Sequence, residues 1–233
     1  MSELQEYARP LTAEFLGTMG LIIAAIGSIG LAQSWLESTH IDQPWVYVFI
    51  NAVAVGFILF ALIEALGPIS GAHFNPAMTI AMLFSKDIEP KKAVMYIIAQ
   101  ILGAFVGVLL VNLTSMDMSL GGEILYISEN SSRDTWSILL SEFICTFMLL
   151  MIIYCCSRNG SSKTSLAVGL FVGGMIVTTT ATMFANPTVD FARMFTNFAC
   201  GIAPLNALEF IIMDILAGIV ATFVFGWLVP KKS

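Results

Sequence analysis

Charge is scarce in this 233-residue chain: Lys, Arg, Asp and Glu supply only 11% of it, against about 25% in soluble domains. A water-soluble globular enzyme or binding module is thereby excluded. Cysteine is scarce too. Cys145, Cys155 and Cys156 share one apolar stretch and Cys200 stands alone, so no disulfide framework is expected and the thiols should be free. There are only two histidines, His40 and His73, and neither has a metal-ligating or nucleophilic cluster beside it in the sequence. Catalysis, a metal and a cofactor are therefore not expected. The formal net charge is −6, but acids such as Glu37, Asp42, Asp117, Glu123 and Glu129 lie between apolar stretches and read as solvated loop charge. No nucleic-acid partner is expected.

What is present is apolar sequence. Hydrophobic residues make up 58% of the chain and the mean hydropathy is +0.87, which marks an integral membrane protein with the lipid bilayer as its main partner. Stretches of about 20 residues, enough to span as helices, run over Leu11–Leu31, Trp45–Leu66, Lys92–Val111, Trp136–Cys156, Leu166–Thr182 and Leu205–Val229. The segments 76–84 and 187–198 are too short to cross and are predicted as re-entrant half-helices, allowed only where buried in protein or lining a wet cavity. The first stretch is too long for a signal-peptide core and is expected to remain as a span. Placing the N-terminus inside puts Arg9, Lys86, Lys91, Lys92, Arg158, Lys163, Lys231 and Lys232 on the cytoplasmic side and leaves Arg133 and Arg193 outside. Both termini are then cytoplasmic.

A short phrase occurs twice: Asn75-Pro76-Ala77 and Asn186-Pro187-Thr188. Pro is tolerated in the first turn of a helix and pushes the preceding residue out of the α region, so each phrase predicts a loop, an Asn N-cap and a helix start. At membrane depth such starts aim free N–H groups and the positive end of a helix dipole at whatever lies there. The rest of the chain is duplicated in step. Glu14-Phe15 with Thr18 is echoed by Glu142-Phe143 with Thr146, and Gln100-Ile101-Leu102-Gly103-Ala104 by Asp214-Ile215-Leu216-Ala217-Gly218. Three spans per half force the second half to insert upside down, the arrangement that places broken helices near the midplane. The expected division is a tail at 1–10, a first repeat at 11–111, an external linker at 112–135, a second repeat at 136–229 and a second tail at 230–233. The spacings Gly103–Gly107 and Gly169–Gly173 permit close helix contact.

Ser70-Gly71-Ala72-His73-Phe74-Asn75-Pro76-Ala77-Met78-Thr79, the second Asn-Pro phrase, the paired Glu-x-x-x-Thr signals and Ala99-Gln100-x-x-Gly103-Ala104 resemble the aquaporin and aquaglyceroporin (major intrinsic protein) family over nearly the whole chain. The resemblance implies an all-α membrane fold of six transmembrane helices and two re-entrant half-helices in an inverted, aquaporin-like repeat. It implies a passive channel in a cell membrane for water or small neutral solutes such as glycerol, gases or metalloid acids, excluding ions and protons, and assembled as a homotetramer. The pore motif would be Asn75, Pro76, Ala77, Asn186, Pro187 and Thr188, with both Asn amides donating to a passing molecule. Glu14 and Glu142 would brace the re-entrant loops, with Gln100 and Asp214 assisting; a proton relay through the two Glu residues is the sharper alternative. His73 would line or brace one approach, or be a satisfied loop histidine.

The chain departs from the family pattern at the second motif. Thr188 stands where Ala is usual, Val189 where an Arg is usual, and an Arg comes only four residues later, at Arg193. Arg193 would guard the mouth from one turn higher, or pair with a loop acid. The other constriction positions carry over as Val55, Met183 and either Ile176 or Gly174, depending on the direction of counting. With Ile176 the constriction is wholly apolar, which suits a pore less tuned to water. A secondary transporter with inverted repeats and proton-linked carboxylates is the alternative function.

Overall fold

The protein is described by a computed structural model over residues 3–39, 43–116 and 123–231; His40, Asp42, Asp117 and Lys232 fall outside the described residues. Among the described residues eight helices follow in chain order: α1 (Glu3–Ser38), α2 (Pro44–Ser70), α3 (Pro76–Phe84), α4 (Pro90–Thr114), α5 (Trp136–Arg158), α6 (Thr164–Thr178), α7 (Pro187–Arg193) and α8 (Pro204–Leu228). Five of them begin on a proline in the first turn, where its missing N–H has no intrahelical partner to lose. The helices α1, α2, α4, α5 and α8 are long and apolar enough to cross a membrane. Their outward faces carry large apolar side chains, with Phe57 67% and Trp227 81% exposed, as expected where lipid is the solvent.

Three expectations need correction. The expected tail at 1–10 is helical from Glu3, because α1 runs through Pro10 and gives up one backbone bond there. The fifth span is shorter than the expected Leu166–Thr182. α6 has 15 residues, about 22 Å at 1.5 Å per residue. It ends where Thr178 and Thr179 turn their hydroxyls back onto the carbonyls of Gly174 and Met175, a local bond that competes with helix propagation. The second half-helix stops at Arg193 rather than Phe198. Phe195 N already bonds Ala192 O and Ile202 N returns to Arg193 O, turning the chain toward Pro204.

The two halves superimpose as a pattern: α1 with α5, α2 with α6, α3 with α7 and α4 with α8. Within the first half α1 packs on α2 and α4; within the second α5 packs on α6 and α8. Between halves, α2 crosses α6 at glycine. A Cβ on Gly56 would stand 2.8 Å from Gly169 O, and one on Gly169 2.6 Å from Gly56 O. The half-helices reach across the halves, α3 lying mainly against α8 and α7 against both α4 and α8, and their N-termini meet at the centre. The linker is tied over the α7 side by Ser128 N to Met194 O at 2.8 Å and Ala203 N to Asn130 O at 2.8 Å.

Candidate permeation path

Each half-helix is preceded by a stretched loop with the same backbone. Three and one residues before each Asn the chain enters the left-handed region: Ala72 (φ 50°) and Phe74 (φ 47°), then Met183 (φ 46°) and Ala185 (φ 48°). Such residues cost on the order of 1–3 kcal/mol each and persist only where their surroundings hold them. A buried carboxylate does the holding in both halves. Glu14 accepts from His73 N at 3.0 Å and Phe74 N at 2.7 Å, and also from Ser70 Oγ at 2.6 Å and Gln100 Nε2 at 2.8 Å. Glu142 accepts from Phe184 N at 3.3 Å and from Ala185 N. These N–H groups would otherwise be unpaired at depth, at several kcal/mol each in the absence of water.

The two asparagines each do two jobs. Asn75 Oδ1 caps α3 by accepting from Ala77 N at 2.8 Å, and its Nδ2 donates to Ala185 O at 2.7 Å. Asn186 Oδ1 caps α7 through Thr188 N at 3.0 Å and Thr188 Oγ1 at 2.7 Å, and its Nδ2 donates to Phe74 O at 2.8 Å. An amide nitrogen carries two hydrogens, so each Asn keeps one N–H for the cavity that both line.

That cavity has a volume of about 290 Å³ and runs from Ile63, Met82, Ser157 and Thr164 past the asparagines to Asn51, Val189 and Arg193. Its walls are mainly aliphatic, and among the described residues none of those lining it is acidic. Arg193 is 3% exposed and its guanidinium carbon lies 3.8 Å from the Phe184 ring centre. Its Nε and Nη1 meet no acceptor in the protein, and its Nη2 reaches Ala25 O only at 3.5 Å.

A profile of the family described as "Major intrinsic protein" matches residues 1–197. The chain belongs to the major intrinsic protein family. Membership makes it a membrane channel and not an enzyme. Among its relatives is the aquaglyceroporin AqpS of Rhizobium meliloti (strain 1021), 34% identical over 97% of this chain and 93% of that protein. Mouse aquaporin-4 is 30% identical over 72% of this chain, which spans half of that protein's length. The X-ray structure of the aquaglyceroporin from Plasmodium falciparum covers 96% of this chain and 97% of its own at a TM-score of 0.72. Its sequence identity is 22%, so this likeness concerns the fold.

In this major intrinsic protein the candidate constriction residues Val55, Ile176, Met183 and Val189 are buried and line the cavity together with His73 and Arg193. Gly174 does not line it; it lies on the exposed face of α6 with open space around its Cβ position. Pro76, Ala77, Pro187 and Thr188 are buried at the half-helix starts. His73 Nδ1 lies 3.0 Å from Thr79 Oγ1. Glu64 is away from the cavity and accepts from Ser165 Oγ at 2.6 Å. Gln100 reaches Glu14, whereas Asp214 accepts from Thr146 Oγ1 and makes no bond to a loop N–H. Among the described residues, no acid forms an ion pair with Arg193.

Sequence reasoning passed over two features. Arg133, read as a plain outer-loop charge, donates to Ala181 O at 2.8 Å and lies 4.8 Å from the Phe184 ring centre. Burial and the nearby Arg193 push its guanidinium down to about 10. Asp190, to which no role was assigned from the sequence, joins Glu142 and Asp214 in a buried carboxylate group. Three acids in otherwise apolar segments were the available signal.

Proposed function

We propose that the protein is a passive channel conducting water and small neutral, glycerol-like solutes, with ions and protons excluded. The observation that carries this reading is the asparagine pair. Each amide caps a half-helix, clamps the opposite loop and has one N–H left for an oxygen passing through the cavity. The opposed helix starts and the Arg193 cation repel positive ions, and no acid among the described lining residues offsets them. The wall at Val55, Ile176, Met183 and Val189 is apolar. Arg193, one turn beyond Val189, is the donor at that mouth. A path with methyl groups where a donor would sit beside water suits solutes larger than water as well as water itself.

The channel sits in the cell membrane with the end rich in Lys and Arg on the cytoplasmic side, following the excess of basic residues there. Four copies assemble, each with its own pore; native mass spectrometry in lipid nanodiscs reads that state directly. Stopped-flow swelling of proteoliposomes with several neutral osmolytes tests the function. Flux should rise linearly with solute concentration and be indifferent to ion and proton gradients. Saturable flux that follows a proton gradient would make the protein a secondary transporter instead.

A further inference from the structure

The two halves of the fold make the same three-residue contact with different chemistry. In the first half the Gln100 amide nitrogen, on α4, donates to Glu14 Oε2 at 2.8 Å and to Thr79 Oγ1 at 3.0 Å. Glu14 holds the first loop, and Thr79 is the fourth residue after Asn75. The repeat-equivalent residues in the second half are Asp214 on α8, Glu142, which holds the second loop, and Asp190, the fourth residue after Asn186. Their carboxylate oxygens lie within 4.8 Å of one another, and all three side chains are fully buried. Asp214 comes within hydrogen-bond reach of both Glu142 and Asp190. Yet both oxygens of Asp190 and Oδ2 of Asp214 meet no donor. The Gln100 amide brings two hydrogens to its site; Asp214, standing in its place, brings none as a carboxylate.

We propose that Glu142, Asp190 and Asp214 share two protons, which supply the hydrogens that the Gln100 amide supplies in the other half. Glu142 remains the carboxylate, because both of its oxygens already accept loop N–H groups. Asp214 Oδ2–H donates to Glu142, and Asp190 donates its own O–H to Asp214. One oxygen of Asp190 and Oδ2 of Asp214 then carry hydrogen and make a bond, leaving a single unpartnered oxygen in place of three, and the trio holds one negative charge instead of three. Three adjacent carboxylates in a dry interior would repel strongly, and among the described residues none of them forms an ion pair. The facing cations are Arg193 on α7 and Arg133 in the linker, both engaged with the Phe184 ring and not ion-paired to the trio. Cys145 on α5 and Cys200 beyond α7 are the remaining titratable neighbours. None of the three acids lines the cavity. The protons therefore latch α7 to α5 and α8 and lie off the permeation path.

Infrared spectroscopy of the full chain in lipid at neutral pH tests this. Wild type should show carboxylic-acid C=O bands that exchange slowly in heavy water. The double variant Asp190→Thr/Asp214→Gln, which copies Thr79 and Gln100, should lose them. Thermal unfolding adds a second readout. The folded site holds protons that the unfolded chain releases, so wild-type stability should fall as the pH is raised, and the double variant should respond less. Absence of the acid bands in wild type, or their survival in the double variant, overturns the proposal. Stabilisation of wild type by a divalent cation, lost on chelation, also overturns it by placing a metal where protons are proposed. If the double variant does not fold, Asp190→Asn decides. It should remove about half of the acid band, and an unchanged band overturns the proposal. None of these readouts depends on what permeates.

Discussion

Asn75 and Asn186 hold each other's loops: Asn75 Nδ2 donates to Ala185 O at 2.7 Å and Asn186 Nδ2 to Phe74 O at 2.8 Å. Each accepting carbonyl belongs to the left-handed residue just before the other asparagine. The two half-helices are thus locked as a unit, and damage to one side should be felt on the other. Asn186→Ala removes the α7 cap and leaves Phe74 O without its donor. The expected loss is about 1–3 kcal/mol of stability, from one cap and one buried acceptor. Thermal unfolding in detergent measures it, and protease access at the first loop, 71–74, should increase along with access at the second.

The two bracing carboxylates should not be equivalent. Glu14 accepts from four donors and Glu142 from two backbone N–H groups. Each donor left unpaired in the interior costs about 1–3 kcal/mol. Glu14→Ala is therefore expected to lower folded yield more than Glu142→Ala. Equal losses, read by size-exclusion of detergent extracts, would mean that the donor count does not set the stability of the loops.

The crossing of α2 and α6 gives a paired test at one residue type. Gly56→Ala drives a Cβ to 2.8 Å from the Gly169 carbonyl, which is backbone and cannot swing away. Overpacking of this kind costs about 1–3 kcal/mol. Gly174→Ala, five residues beyond Gly169 on the same helix, meets nothing within 4 Å and gains roughly 0.5–1 kcal/mol from helix propensity. The melting temperature should fall for the first variant and hold or rise for the second.

Much of this arrangement is legible in the sequence. The starts of α3 and α7 follow from two Asn-Pro pairs, because proline there admits one reading. The repeat follows from Glu14 and Glu142 standing alone in apolar stretches. The helix ends were less legible. α6 stops at Thr178 because threonine hydroxyls compete for backbone carbonyls, and α1 runs through Pro10 because a long apolar helix tolerates one missing bond. The mouth was the hardest part to read. Whether Arg193 meets an acid, a ring or the cavity depends on where the loop before α7 and the linker place Phe184 and Arg133, and no local spacing encodes that. The carboxylate trio was hidden for a similar reason: its members are 48 and 24 residues apart, and only the packing of α7 and α5 against α8 brings them together.

One pH effect is expected outside the membrane. Asp87 ties the ends of α5 and α8 through Lys231 Nζ at 2.7 Å and Arg158 Nη2 at 3.4 Å. Burial alone would raise its carboxyl. Hydrogen bonds from Lys231 and Ser85 and the two cations outweigh that and hold it below its usual 3.8. A lowered carboxyl contributes stability that is complete above the unfolded value and is lost as the pH falls through the folded one. The site is about one-third exposed, so the contribution should be of the order of 0.2–1 kcal/mol, as for surface pairs. Asp87→Asn should lower stability at neutral pH by that amount and leave it unchanged in strong acid.

Val189 offers the sharpest test of the permeation path. It lines the cavity on the same helix as Arg193, four residues before it, which puts the two side chains on one face about 6 Å apart along the axis. Val189→Arg would set a cation with five fixed donors beside the path, where methyl groups now stand. Narrowing and added hydrogen bonding should hit solutes larger than water hardest. The asparagine pair is untouched, so ions should be excluded in both forms. The ratio of glycerol to water permeability is therefore expected to fall below that of the native protein in matched proteoliposomes. Arg193→Leu should act in the opposite sense for ions, removing the buried cation while leaving the width at Val189 unchanged. If Val189→Arg leaves the ratio unchanged while Arg193→Leu alters it, the narrowest point lies at Arg193 and Phe184, one turn beyond the position that the family pattern would select.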